Sequence, residues 1–212
     1  MFNSTLIAVV LVGVLFLVWV AYGYFAVRTI EEPSYTVRDV HDGYEVRMYA
    51  PHIVAEAHVS GTYTEALTQG FRQIADYIFG NNTARSAIAM TAPVGEQATT
   101  SQAIAMTVPV GESESNGDRV ISFVMPAKYT LDTIPLPNNK QVTLRLVPAH
   151  PVAALRYSGS PSAATVAAKK ELLLSYLNRD KVAVIGVPQS AFYNPPWTPP
   201  FMRRNEVLVD IK

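Results

Sequence analysis

From Thr5 to Val27 no residue is charged, and apolar side chains fall on every face: Leu6-Ile7-Ala8-Val9-Val10-Leu11-Val12, then Leu15-Phe16-Leu17-Val18-Trp19-Val20. A helix of this length reaches roughly 34 Å, enough to cross about 30 Å of hydrocarbon. Trp19, Tyr22 and Tyr24 gather toward its C-terminal end, where amphipathic rings prefer the headgroup level. No Lys or Arg precedes the run and Ala21-Tyr22-Gly23 makes a poor cleavage site, so the pattern favours a retained transmembrane anchor over a signal peptide. The expected organisation is an anchor over 1–28, a juxtamembrane linker over 29–34 and one domain over 35–212. Arg28, Arg38 and Arg47 all follow the span, which leans toward a cytoplasmic-facing domain.

Beyond Pro33 the period changes. Tyr35 to His41 and Tyr44 to Tyr49 alternate as strands around Asp42-Gly43, a β-hairpin, and Ile53 to Ser60 predicts another strand. Thr62 with Glu65 three residues on forms a capping box. Leu67, Phe71, Ile74 and Ile78 then make one apolar helical face, ending near Gly80-Asn81-Asn82. The second half repeats this grammar. Val152 to Gly159 aligns with Val54 to Gly61 at an offset of 98 (152 minus 54), and a helix opened by Ser160-Pro161 follows, with Val166, Lys170, Leu173 and Leu177 on one stripe. This predicts an internal duplication. Between the helices Ala87 to Glu96 recurs as Ala103 to Glu112, a shift of 16 (104 minus 88) suited to two adjacent strands. Ser113 to Asp118 reads as a polar loop. Strands are expected at Val120 to Met125, Val142 to Val147 and Glu206 to Ile211, and Tyr193 to Phe201 is too proline-rich for anything but an ordered loop.

Charge and composition narrow the chemistry. Lys plus Arg equal Asp plus Glu at 17 each, so no global field draws in nucleic acid. With no cysteine, disulfides, thiolate metal sites and cysteine nucleophiles are excluded. Protein partners are not legible.

Four segments accumulate a pattern: Tyr44-Glu45-Val46-Arg47-Met48-Tyr49, the Ala-Met-Thr-Ala-Pro-Val stretch, Phe123-Val124-Met125-Pro126, and Asn194-Pro195-Pro196-Trp197-Thr198-Pro199-Pro200-Phe201-Met202-Arg203-Arg204-Asn205-Glu206-Val207. Together, from about Tyr35 to Lys212, they resemble the SOUL haem-binding protein family. The resemblance implies an α+β fold: a distorted antiparallel β-barrel with two flanking helices from a duplicated βαβ-type half, here preceded by a single N-terminal transmembrane helix. It also implies haem or another tetrapyrrole as ligand, in an apolar pocket near the first domain helix and the C-terminal loop.

Haem offers a flat apolar face, an iron that accepts an axial ligand and propionates that prefer cations. For the face, Phe71, Ala75, Ile78, Met90, Met106 and Trp197 are candidates, since thioethers and aromatic rings suit a planar guest; the same residues also read as ordinary core. For the iron, His52 and His58 are the axial candidates. For the propionates the first domain helix offers only Arg72, which points to weak binding. Arg203 and Arg204 read instead as a structural clamp on carbonyls or Glu206. Two rival functions stand beside this one. The first is a small-molecule hydrolase or effector-binding domain of the same duplicated fold, whose acid/base set would be Glu56, His58 and Glu206; no Gly-x-Ser-x-Gly, His-Glu-x-x-His or P-loop accompanies it. The second is a tethered protein-interaction scaffold.

Overall fold

The computed structural model describes residues 4–25, 30–84, 101–115 and 118–212. Helix α1 (Ser4–Phe25) is long and apolar enough to cross a membrane, and its side chains are almost all exposed. The domain follows as β1 (Tyr35–His41), β2 (Tyr44–Tyr49), β3 (His52–Val59), α2 (Tyr63–Ile78), β4 (Asn82–Thr83), β5 (Val110–Ser115), β6 (Asp118–Val124), β7 (Leu136–Pro137), β8 (Val142–Val147), β9 (His150–Tyr157), α3 (Ala163–Arg179), β10 (Gln189–Phe192) and β11 (Asn205–Asp210). Nine of these strands form one antiparallel sheet in the order β1-β2-β9-β11-β10-β5-β6-β3-β8; β4 and β7 pair separately.

The distorted antiparallel barrel expected is present as a curled half-barrel. Its edges, β1 and β8, do not pair with each other. A register shift between Val37 and Asp39 interrupts the β1–β2 ladder, and such a bulge twists an edge strand away from closure. Other expectations shift in detail. The stretch Ser113 to Ser115, expected as loop, is strand, because β6 takes up its backbone in the register Ser113 to Val120, Glu114 to Arg119 and Ser115 to Asp118. Helix α3 begins at Ala163, where Ser162 Oγ accepts the Thr165 N–H at 3.1 Å; Ser160-Pro161 lies before it. The repeat segment 87–96 lies outside the described residues.

Period-two alternation divides the sheet into two faces. Ile53, Ala55, Ala57 and Val59 of β3 point into a core shared with Ile74, Tyr77 and Ile78 of α2 and Ile121 and Phe123 of β6. Ala153, Leu155 and Tyr157 of β9 do the same beneath α3, with Leu173, Leu177, Val207 and Val209. At the start of α2 the Glu65 carboxylate accepts from both the Thr62 N–H (3.0 Å) and the Thr62 hydroxyl (2.7 Å). The buried face of α2 runs through Ala66, Gly70, Ile74 and Ile78, which leaves Phe71 40% exposed. Small residues explain the rotation: a Cβ at Gly70 would stand 2.4 Å from Ile121 Cγ1, so the helix rests directly on β6.

The local structure recurs at the offset of 98. Gly61 and Gly159, after β3 and β9, have φ of +116° and +109°, a left-handed conformation that glycine adopts without strain. His52 Nδ1 and His150 Nδ1 each lie 2.8 Å from the carbonyl two residues before, that of Ala50 and that of Pro148.

The other face carries a charge cluster. Glu206 of β11 has no solvent exposure and accepts from Arg47 Nη1 (2.7 Å) and Nη2 (3.1 Å), Arg204 Nε (3.0 Å) and the Tyr193 hydroxyl (2.9 Å). Arg204 continues to Glu32 (2.8 Å), ahead of β1. Burial alone would raise the Glu206 carboxyl, but the Arg47 hydrogen bond and charge and then Arg204 outweigh it and hold it below the ordinary glutamate range. A carboxyl depressed in the folded state stabilises the protein fully above its unfolded-state value, and the contribution is lost as pH falls through the folded one. Replacing Glu206 by Gln takes away the buried counter-charge of Arg47 and leaves it only the half-exposed Glu45, 2.8 Å from its Nε. Urea unfolding should show a loss of about 3–5 kcal/mol at neutral pH, with a smaller difference from the parent in acid.

Candidate functional site

The even-numbered residues of β3, His52, Val54, Glu56 and His58, face away from the helices. Every strand of the large sheet except β1 contributes to a cleft on that side, about 340 Å³ in volume. Its polar lining includes Glu56, His58, Arg145, His150 and Asp210 among valines at positions 54, 120, 124, 147 and 152. Glu56 is already engaged: Arg145 donates to it through Nη2 at 2.6 Å and Nε at 3.2 Å. Glu206 does not line this cleft, so the acid/base set of Glu56, His58 and Glu206 is not assembled in it.

A second cavity, about 620 Å³, opens where the juxtamembrane segment crosses the end of β3. Pro33, Ile53, Met125, Pro126, Tyr129 and Leu146 give it an apolar wall, and Glu31, Glu32 and Asp132 also line it. Two of these acids are tied back. Glu31 accepts the Ala127 N–H at 2.6 Å and Glu32 pairs with Arg204.

His52 lines both cavities. Burial lowers its pKa from the ordinary histidine value; the Ala50 carbonyl opposes this, and the neighbouring His150 and Arg145 add to it. A neutral ring with Nδ1 at 2.8 Å from a carbonyl carries its proton on Nδ1, which leaves a lone pair on Nε2. Nε2 has no hydrogen-bond partner among the described residues. That is the tautomer a metal-ligating histidine needs, with its other nitrogen held by a carbonyl. His150 shares the Nδ1 contact, but its Nε2 lies 3.5 Å from Asp210 Oδ1, and its ring is 6.2 Å from that of His52. His58 is exposed and lacks such a carbonyl contact.

The remaining candidates are spread out. Phe71, 40% exposed, packs its ring 5.4 Å from the buried Phe123, and Arg72 beside it is exposed. Ala75 and Ile78 are buried in the core beneath α2. Met106 is 38% exposed, on a segment that Ile104 fastens to the end of α2 through its N–H to Ile78 O at 2.8 Å. Trp197 lies on the proline-rich loop against α1. Met90 lies outside the described residues. None of the six described residues lines either cavity. Residues that the sequence reading did not propose for the site, Pro33, Met125, Pro126 and Tyr129, come together where the linker folds back over the sheet. Met125 and Pro126 carried a local signal in the Phe123-Val124-Met125-Pro126 motif; for the others it was only a proline and the Tyr129 ring.

The sequence model described as SOUL heme-binding protein matches residues 30–210. Among solved structures, the C-terminal domain of EcmrR is similar at 9% identity, TM-score 0.56, over 84% of this chain and 98% of that one. EcmrR in its DNA complex gives 8% identity and the same TM-score, over 80% and 57%. A hydrolase from Listeria innocua gives 9% identity and a TM-score of 0.47, over 82% and 94%. No curated protein matches the chain. At these identities the solved structures show the fold alone.

The histidine assignment is checked by ¹⁵N NMR of the imidazoles. His52 should titrate below the ordinary histidine value and be protonated on Nδ1 when neutral; a proton on Nε2 would reject it as a preorganised ligand.

Proposed function

The chain belongs to the SOUL heme-binding protein family, and from that premise we propose that it is a non-catalytic binding protein for haem or a related tetrapyrrole, held at a membrane by α1. The observation that carries the proposal is His52: a partly buried, neutral imidazole with Nδ1 fixed to the Ala50 carbonyl and Nε2 free beside an apolar cavity. Haem supplies an iron centre that such a nitrogen can coordinate. The protein's part is to hold His52 in one tautomer, to present Ile53, Met125, Tyr129 and Leu146 to the macrocycle, and to keep Glu31 and Glu32 occupied with Ala127 and Arg204.

The donor and the apolar wall fit a tetrapyrrole; the cations fit less well. Among the described residues no Lys or Arg lines the larger cavity, and Arg47, Arg145, Arg203 and Arg204 are committed to carboxylates or carbonyls. This supports weak binding, or a macrocycle with fewer acidic substituents. The pairing of Glu56 with Arg145 supports a non-catalytic reading, since a carboxylate held by a bidentate guanidinium is a poor base. The membrane part rests on an apolar helix of 22 residues exposed almost throughout, a surface that water does not stabilise. The recurrence at 98 residues supports an internal duplication.

A second placement of the ligand, on the outer side of α2 with Phe71, Arg72 and Met106, is favoured by the exposure of all three. Titrating the full chain in detergent with hemin separates the two. A saturable Soret change is expected. His52→Ala should shift the band and weaken binding while His58→Ala and Arg72→Ala leave it intact. Loss confined to Arg72→Ala would move the site to α2, and absorbance no different from free hemin would sink tetrapyrrole binding altogether.

A further inference from the structure

Loop 195–202 leans on α1. Trp19 Nε1 donates to the Trp197 carbonyl at 2.7 Å, the rings of Phe16 and Phe201 are 6.5 Å apart, and Gly23 approaches so closely that a Cβ there would stand 2.7 Å from Pro199 Cδ. Trp19 and Phe16 precede the end of α1 at Phe25 by six and nine residues, which is roughly 9 and 14 Å along the axis. Whatever surrounds α1 at that depth also surrounds the loop. Its outward rings are apolar and uncovered, Trp197 at 55% and Phe201 at 61% exposure.

Irregular backbone is costly in hydrocarbon because each unpaired N–H or C=O costs several kcal/mol or so. This loop is built to avoid that cost. Pro195, Pro196, Pro199 and Pro200 have no N–H to satisfy. The Thr198 and Met202 N–H groups donate to Pro195 O (3.0 Å) and Pro199 O (2.9 Å). Every carbonyl from Pro195 to Pro200 accepts a hydrogen bond: Pro196 and Thr198 from the Arg203 guanidinium, Trp197 from Trp19, and Pro200 from the Gly159 and Arg203 N–H groups. In water these six carbonyls would need no partner within the protein, since solvent would serve them.

We propose that loop 195–202 is embedded in the apolar layer of the bilayer alongside α1, as a second membrane contact that fixes the orientation of the domain. The inference rests on reading α1 as the span, and its partner is lipid acyl chain. Trp19 and Trp197 are the two tryptophans of the chain, so each can report separately. Full-length Trp19→Phe and Trp197→Phe variants are reconstituted in phosphatidylcholine vesicles whose acyl chains are brominated near mid-chain. With the loop embedded, Trp197 in the first variant loses emission to an extent comparable with Trp19 in the second, and both emit at short wavelength. If Trp19 is quenched while Trp197 emits as in unbrominated vesicles, the loop lies outside the bilayer and the proposal is overturned although the span stands. If neither is quenched, the span itself fails and the proposal falls with it.

Discussion

A carboxylate without solvent sits near the middle of this sheet, and much of the molecule is arranged to keep it charged. Removing such an ion from water costs several kcal/mol or more even after relaxation. Glu206 is tolerable only because Arg47 arrives from β2, Arg204 from the residue before β11 and Tyr193 from the end of β10. Burial and then the Glu206 charge push the Tyr193 hydroxyl far above its usual range, so it stays a donor. Arg47 is itself 2% exposed. A slip of one residue in β2 or β11 would turn one of these charges toward the helices, where only apolar side chains meet it. Hydrophobic burial beneath α2 and α3 holds the layers together, and the charge cluster sets the register in which they meet.

The pleat then decides where a ligand site can be. Odd positions of β3 and β9 are taken by the two helix-facing cores, so the cleft on the opposite face is lined by even positions, which include His52, Glu56, His58 and His150. Of these, Glu56 is neutralised by Arg145, His150 lies beside Asp210 and His58 faces solvent. His52 is left with an unshared nitrogen at the junction of two cavities. The same backbone carbonyl geometry appears at both His52 and His150, so the difference between them is made by Asp210.

Much of the fold was legible because its signals are local. The Asp42-Gly43 hairpin, the Thr62–Glu65 cap and the Val152 to Gly159 strand and turn each follow from a few adjacent residues, and the clamp role of Arg203 and Arg204 appears as hydrogen bonds to Thr198 O and Glu206. What was not legible depends on partners distant in sequence. The buried face of α2 was misjudged by about one position because Gly70 and Ala66 add nothing to a hydrophobic pattern, yet their small size lets the helix meet Ile121. Glu112 ends the second copy of the repeat with nothing adjacent to mark it as buried, but Arg119 (2.8 Å) and Lys170 (3.1 Å) converge on it and leave it 1% exposed. The half-barrel depends on edges that fail to meet, which no single segment encodes.

The linker between anchor and domain, expected only to connect them, contributes to the site. Glu31, Glu32, Pro33 and Ser34 wall the larger cavity, and Val108 N–H bonds back to Glu31 O at 3.0 Å. The cavity therefore exists only while this segment is laid across the sheet. Two side-chain anchorages help keep it there: Glu31 on the Ala127 N–H and Glu32 on Arg204. Arg204 in turn neutralises Glu206, so the charge that sets the strand register also holds one wall of the cavity. In the proposed reading, this places the apolar site within a few residues of the end of α1. A macrocycle partitioning into the bilayer would meet the protein there, at the membrane surface, and would not have to cross water to reach it.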